Sequence, residues 1–206
     1  MTQEIEFKLL VTGEVSRDQL IEIAQAAGFE AGERGRRIQT DDYLDTKSGR
    51  LMLAGLGLRL RRLDDSAVLC IKEAPLRRGD LHQRDEVEAL WCGDSPPDRI
   101  ADLPASLASR TRAIPDTSRL QTTMKLETLR EWCLLASGET RAELCLDRVR
   151  VPDTDTFTEI EIEWLAGPRE PLECLVRDIR AAVPVQTSEI DKYRRALTMS
   201  RQEQPR

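Results

Sequence analysis

Five residues near the start of the chain, Glu4-Ile5-Glu6-Phe7-Lys8, constrain its fold more than any other stretch. Successive side chains of a β-strand point to opposite faces, so Glu4, Glu6 and Lys8 share one side while Ile5, Phe7 and Leu9 share the other. Alone, such a strand would turn its charges to bulk water. The alternation recurs, however, as Arg59 and Arg61 in Leu58-Arg59-Leu60-Arg61, as Arg84, Glu86 and Glu88, and as Glu159, Glu161 and Glu163. Several strands with one charged face of mixed sign are explained together if a sheet closes with those faces inward. The result is a barrel lined with carboxylates and bases, a place for a divalent metal and a polyanion.

The chain has 206 residues, enough for one large domain or two small ones. Hydrophobic residues at 40% supply a core, and charged residues at 33% impose an unusually large polar requirement. Aromatics at 4% and a net charge of -6 argue against a general nucleic-acid surface, which needs stacking platforms and a basic face. Cys70, Cys92, Cys133, Cys145 and Cys174 are odd in number and widely spaced, which reads as reduced thiols rather than a disulfide framework or a zinc site. His82 is the only histidine, which rules out paired-histidine chemistry within one chain and argues against a Ser/His/Asp triad. No apolar run approaches a signal segment or a membrane span, and a soluble, cytoplasmic protein is expected.

Along the chain, Ser16 is placed to cap a helix running to about Ala27, with Leu20, Ile23, Ala24 and Ala27 at helical spacing and Gly28 as its stop. Polar alternation over 34–39 leads into Thr40-Asp41-Asp42-Tyr43-Leu44-Asp45-Thr46, whose aspartates are read as turn residues. Residues 48–57 form an irregular connection with one helical turn. Strands are predicted over 58–63, 67–73 and 81–91, with Asp64-Asp65-Ser66 as a hairpin and 74–80 as a basic loop. The proline-rich excursion 92–118 holds one or two short helices within 97–112. Strands resume over 122–136, 140–149 and 156–165. Leu172, Leu175, Val176, Ile179 and Val183 then make one apolar helical stripe that packs outside the sheet, and Ser188 is placed to cap a final short helix. About eight strands and three or four helices suit an α+β fold: a closed eight-stranded antiparallel barrel, or tunnel, with helices packed outside. Residues 1–200 are expected to form one domain with 201–206 as a polar tail, and no internal repeat is present.

Hard cations such as Mg²⁺ or Mn²⁺ favour carboxylate oxygens, which Glu4 and Glu6 facing Glu159 and Glu161 would supply. Such a cluster is stable only with cations nearby. The inward bases are Lys8, Arg59, Arg61, Lys72, Arg84 and either Lys125 or Arg130, depending on register. Glu86 and Glu88 share a face, and Glu163 at a strand end is either a ligand or a rim residue. Asp147, alternating with Glu143, is a weaker, supporting candidate, and His82 is read as a hydrogen-bonding residue at a loop or strand edge.

Glu4-Ile5-Glu6-Phe7-Lys8 resembles the E-x-E-x-K signature of the CYTH, or triphosphate tunnel metalloenzyme, superfamily. Tyr43-Leu44-Asp45-Thr46, Leu58-Arg59-Leu60-Arg61, Lys72, the Glu159-Ile160-Glu161-Ile162-Glu163 run and Asp191-Lys192-Tyr193-Arg194-Arg195-Ala196-Leu197 are similar to its later blocks, in order. Leu81-His82-Gln83-Arg84-Asp85-Glu86 and Leu129-Arg130-Glu131-Trp132 resemble the inorganic triphosphatase branch, without the second, helical histidine-rich domain that its members often carry. The resemblance implies a tunnel that hydrolyses the terminal phosphoanhydride of tripolyphosphate with Mg²⁺ or Mn²⁺. It implies metal ligands at Glu4, Glu6, Glu159 and Glu161, with Glu86 at a second metal or the attacking water. Lys8, Arg59, Arg61, Lys72, Arg84, Arg130 and Lys192 are implied as phosphate clamps, and Glu86, Glu161 and Lys8 as the catalytic set. ATP and thiamine triphosphate are alternative substrates, with Trp91, Trp132 and Trp164 as stacking candidates. An adenylyl cyclase of the same fold and a non-hydrolysing polyphosphate or nucleotide binding module are the rival readings. No nucleic-acid or membrane partner is expected, and a homodimer is left open.

Overall fold

A computed structural model describes residues 2–63 and 66–202. The Asp64-Asp65 turn lies outside the described residues, as do residues 203–206 of the expected tail. The elements in chain order are β1 (Thr2–Val11), α1 (Arg17–Ala26), β2 (Glu30–Asp45), α2 (Arg50–Leu53), β3 (Leu56–Leu63), β4 (Ser66–Glu73), β5 (Leu76–Arg78) and β6 (Leu81–Leu90). A 3₁₀ turn (Ile100–Asp102) and α3 (Ala105–Ala108) follow, then β7 (Gln121–Ser137), β8 (Thr140–Arg150), β9 (Thr156–Ala166), α4 (Glu170–Ala182), β10 (Val185–Thr187) and α5 (Lys192–Gln202).

Eight strands run antiparallel in the order β1-β9-β8-β7-β2-β3-β4-β6, and pairing of β6 with β1 closes the barrel. The long strands that were read from alternation are therefore the staves of the barrel. β7 and β8 form a hairpin through Gly138, whose φ of +56° suits a two-residue turn. Two short strands were not expected. The ladder between β4 and β6 ends at the Lys72–Glu86 pair, leaving the edge of residues 81–83 without partners, and β5 folds back onto it. In the same way β10 pairs with residues 9–11 of β1, beyond the reach of β6. Both additions satisfy backbone groups at places where the closed ladder runs out.

Helix α1 begins where Ser16 Oγ accepts a hydrogen bond from the Gln19 amide at 3.2 Å, and Gly28 follows its end at φ +88°. Its Leu20, Ile21 and Ala24 pack with Leu172, Leu175, Val176 and Ile179 of α4 over Leu9, Leu144, Leu146, Ile160 and Ile162 on the outside of the barrel. Each of these buried leucines and isoleucines, and Val176, contributes on the order of 1.5–3 kcal/mol, and Ala24 less. The excursion 92–118 does similar work elsewhere: Ile100, Leu103, Leu107 and Ile114 cover Leu58, Leu60, Leu69 and Ile71. It is a second outer layer, built from irregular chain and short helical turns.

Two local expectations need correction. Asp41 and Asp42 lie within β2 rather than in a turn, because each meets counter-charges on its own face: Asp41 meets Arg61, while Asp42 meets Arg62 and Lys125. Those pairs outweigh the poor strand propensity of aspartate. Asp45, at the end of β2, does make local structure, accepting from the amides of Leu51 at 2.9 Å and Met52 at 3.0 Å to fix α2. Finally, Ser188 does not cap α5. That role falls to Asp191, whose Oδ1 accepts from the Arg194 amide at 2.8 Å, while Ser188 is buried. Helix α5 lies across one end of the barrel, where Tyr193 and Ala196 pack with Leu126, Val149 and Phe157.

Candidate active site

Strand alternation brings the charged residues together inside the barrel. A cavity of about 430 Å³ is lined by Glu4, Lys8, Arg59, Arg61, Lys72, Arg84, Glu86, Glu88, Arg130, Glu161, Glu163 and Lys192, among others. Of the predicted site residues, only Glu6 and Glu159 are absent from its wall. Register also separates the two candidate bases on β7. Arg130 points inward, whereas Lys125 lies on the outer face beside Asp42, with its side chain 65% exposed.

Three ion-pair groups organise the interior. In the first, Lys72 Nζ donates to Glu4 Oε1 at 2.7 Å and lies 3.2 Å from Glu86 Oε2, while Arg84 donates to Glu4 Oε2 at 2.5 Å and Glu6 Oε1 at 2.8 Å. Burial alone would raise the Glu4 carboxyl, but Lys72 and Arg84 outweigh it and hold Glu4 well below the ordinary range. Glu6 behaves oppositely. Burial raises it, and Lys8 at 3.1 Å only partly offsets that rise because Glu4 and Glu161 add to it.

In the second group, Arg61 holds Asp41 through two parallel contacts of 2.8 Å, and Arg59 lies 3.9 Å from Asp41 and 3.8 Å from Glu86. Burial opposes ionisation of Asp41, yet Arg59 and Arg61 bring its carboxyl down to about 2. Cys70 donates to Glu86 Oε1 at 2.7 Å. Its thiol is pushed up to about 12, first by burial, which leaves it protonated and a poor nucleophile.

The third group centres on Glu161. Lys8 reaches it at 2.7 Å, Arg130 reaches it at 2.5 Å, and Lys192 also donates to it. Behind it lies Asp147, completely buried and held by both arms of Arg130 and by Lys192 at 2.8 Å. Burial raises the Glu161 carboxyl, but Lys192, Lys8 and Arg130 together drive it well down. Glu163 contrasts with these paired groups. It sits opposite Glu6 and Glu143 in the sheet, and its carboxyl is pushed up to about 7 by burial, Glu4 and Glu6.

Sequence reasoning reads Asp41 as a turn residue and assigns no site role to Tyr43, Tyr193 or Arg37. The Asp41 and Tyr43 alternation would have exposed the first two had β2 been read to its full length. Tyr43 and Tyr193 both line the cavity and stack with ring centroids 4.6 Å apart and planes 3° apart. None of Trp91, Trp132 and Trp164 lines it, so the aromatic surface offered to a ligand is tyrosine. His82 is a buried strand residue, with its pKa pushed down to about 4 by burial and by Lys8, Arg77 and Arg84. The cysteines are all unpaired, with Cys70, Cys133 and Cys145 buried and Cys92 and Cys174 exposed. No helix among the described residues is long and apolar enough to cross a membrane.

A closed antiparallel barrel with this charged interior invites comparison with known folds, and the model of the CYTH domain family matches residues 2–197. The chain belongs to the CYTH domain family. Solved structures agree on the CYTH fold. HpAC1 from Hippeastrum, named as an adenylyl cyclase with a dominant triphosphatase activity, is 20% identical over 95% of both chains with a TM-score of 0.73. A Bacillus halodurans protein named as an adenylate cyclase is 19% identical, covering 95% of this chain and 98% of its own, with a TM-score of 0.57. PH1819 from Pyrococcus horikoshii OT3 is 18% identical over 94% of this chain and 98% of its own, also at 0.57.

The donor set of this CYTH barrel fits a hard divalent cation, because the carboxylates of Glu4, Glu86, Glu88, Glu161 and Glu163 face the cavity. Ligand atoms of Cys70, Glu86 and Glu88 lie within 4.8 Å of one another.

Proposed function

We propose that the protein is a divalent-metal-dependent triphosphatase that cleaves the terminal phosphoanhydride of tripolyphosphate inside the tunnel. The observation that carries this reading is the gathering of Lys8, Arg59, Arg61, Lys72, Arg84, Arg130 and Lys192 on the wall of one cavity that also presents carboxylates. Arginine forks match pairs of phosphate oxygens and lysines act as point charges, so the wall suits a chain of phosphates. Interior ion pairs hold these bases in place before substrate arrives, which makes the electrostatic stabilisation preorganised. Glu4, Glu86 and Glu161 are the residues that would hold Mg²⁺ or Mn²⁺. When bound, the cation neutralises charge on the phosphoryl oxygens and polarises water. Lys8, between Glu6 and Glu161, is held protonated: burial lowers its pKa, but the two carboxylates raise it further. It acts as a fixed positive charge toward the transferred phosphoryl group and not as a base.

Phosphate release from tripolyphosphate, ATP and thiamine triphosphate, each with Mg²⁺ and with Mn²⁺, tests this reading. Fastest turnover of tripolyphosphate supports it, and turnover of none defeats it. The second reading is an adenylyl cyclase, motivated by the names of the Hippeastrum and Bacillus halodurans relatives in fold. Cyclic AMP and pyrophosphate formed from ATP would establish it. A binding module without hydrolysis would retain tripolyphosphate but release no phosphate. The protein is proposed to work as a single CYTH domain on a soluble triphosphate-bearing small molecule.

A further inference from the structure

Glu159 stands apart from the other carboxylates of its strand. It has no exposed surface and does not reach the cavity, although Glu161 and Glu163 on the same face of β9 do. Its surroundings are donors and cations. Ser188 Oγ donates to Glu159 Oε1 at 2.7 Å, Arg195 Nε lies 3.4 Å from the same oxygen, and Lys192 Nζ is 3.8 Å from Oε2. Arg195 also donates to Ser188 Oγ at 3.0 Å, and its guanidinium lies 5.6 Å from the centroid of the Phe157 ring. Three of these partners lie on one short segment, residues 188–195, which contains the start of α5.

We propose that Glu159 is a positioning residue that seats the start of α5, and through it Lys192, rather than a metal ligand. Access decides between the two roles, because Glu161 faces three cations and still lines the cavity, whereas Glu159 has no exposed surface and does not reach it. A divalent ion placed beside Glu159 would lie behind the cavity wall, between Lys192 and Arg195. Lys192 donates to Glu161 on the cavity wall and lies 2.8 Å from the completely buried Asp147, so its placement depends on how the start of α5 is held. Glu159, Ser188 and Arg195 add a polar anchor to the stacking of Tyr193 on Tyr43. Together they explain why Ser188 is buried instead of capping the helix.

The proposal builds on the triphosphatase reading only in taking tripolyphosphate as the ligand that Lys192 meets. The test compares E159Q, S188A and R195M with E161Q by three measurements that need no turnover. These are hydrogen exchange of the α5 amides, tripolyphosphate binding by calorimetry in EDTA, and Mn²⁺ binding by electron paramagnetic resonance. E159Q, S188A and R195M should each speed exchange in α5 and weaken tripolyphosphate binding by about tenfold, the scale of one charge-assisted contact. Mn²⁺ affinity should stay within about twofold of the unaltered protein in those variants and fall in E161Q alone. S188A and R195M keep the test open where E159Q does not fold. Loss of Mn²⁺ affinity in E159Q without change in S188A or R195M would overturn the proposal, as would unchanged α5 exchange in all three. Because exchange and binding are read without hydrolysis, a protein that binds but does not turn over would sink the triphosphatase reading and leave this one standing.

Discussion

Arg130 grips Asp147 with two arms of its guanidinium, Nε to Oδ1 at 2.8 Å and Nη2 to Oδ2 at 2.5 Å, and the same Nη2 reaches Glu161 Oε2 at 2.5 Å. One side chain thus compensates a carboxylate with no access to water and a second one on the cavity wall. Arg130→Met leaves Asp147 with Lys192 alone and should cost about 3–5 kcal/mol, the usual loss when one partner of a buried pair is removed. Arg130→Lys keeps the charge but not the fork, and should cost less, about 1–3 kcal/mol. Urea unfolding of both variants checks the ranking, and equal losses would mean that charge alone matters.

The Tyr43–Tyr193 stack joins α5 to the barrel, and the Tyr193 hydroxyl lies 2.7 Å from Thr123 Oγ1. Tyr193→Phe keeps the stack and loses the polar contact, a change of about 0.5–1.5 kcal/mol. Tyr193→Ala removes both and opens space at the barrel end, so a loss of about 3–5 kcal/mol is expected. The two unfolding free energies separate ring packing from hydrogen bonding, and similar losses would mean that the ring contributes little.

Much of this interior is legible in the sequence because alternation is a property of single strands. Alternation alone sets Glu4 and Glu6 with Glu159 and Glu161 and groups Lys8 with the arginines; β1 and β9 are neighbours, and their register puts Lys8 opposite Glu161 and Glu6 opposite Glu163. Alternation cannot say how far each stave slides against the next, and sliding decides depth. That is why Glu159 and Glu6 fall behind the wall while Glu163, which alternation allows as either a rim residue or a ligand, lines the cavity. Asp41 was misread for a different reason. An aspartate-rich stretch looks like a turn until the arginines opposite it, Arg61 and Arg62 on β3, are known to be in place. The short strands β5 and β10 carry no pattern of their own and form only because the ladder leaves edges for them.

Register also yields a pair of contrasting variants. Lys72, between Ile71 and Glu73, and Lys125, between Met124 and Leu126, are both strand lysines, but Lys72 contacts Glu4 and Glu86 inside the cavity while Lys125 meets Asp42 outside it. Lys72→Ala should lower kcat/KM for tripolyphosphate by about tenfold or more, as expected for one charged phosphate contact. Lys125→Ala should leave kcat/KM within about twofold, since Arg62 still faces Asp42 and exposed pairs contribute little. Steady-state kinetics on both proteins decide the matter, and comparable losses would place the reaction elsewhere.

Removal of divalent cations should abolish tripolyphosphate hydrolysis, and Mn²⁺ or Mg²⁺ should restore it. The cluster around Glu4 is already held by Lys72 and Arg84, so the fold should survive EDTA. Circular dichroism should therefore be unchanged while phosphate release stops. Glu4→Gln should lower turnover more than tripolyphosphate affinity, because the change spares the bases that line the wall. An equal fall in both would assign Glu4 to substrate binding.

Glu163 gives the barrel a pH dependence of defined sign. Burial, Glu4 and Glu6 push its carboxyl up from an ordinary 4.5 to about 7, so the folded protein holds a proton that the unfolded chain has released. The stability it contributes is therefore fully present below about pH 4.5 and is lost as pH rises through about 7. His82 runs the other way. Its pKa is pushed down from 6.5 to about 4, so its contribution is present above about 6.5 and is lost as pH falls through about 4. Where those two windows overlap the groups oppose each other, and the wild-type profile alone would hide both. The difference between Glu163→Gln and wild type isolates the carboxylate, because His82 and the raised Glu88 remain in each protein. Urea midpoints measured in EDTA from about pH 5 to about pH 8 should show the variant gaining on wild type as pH rises. A pH-independent difference would mean that Glu163 titrates as an ordinary surface carboxyl and that its neighbours Glu4 and Glu6 do not act on it.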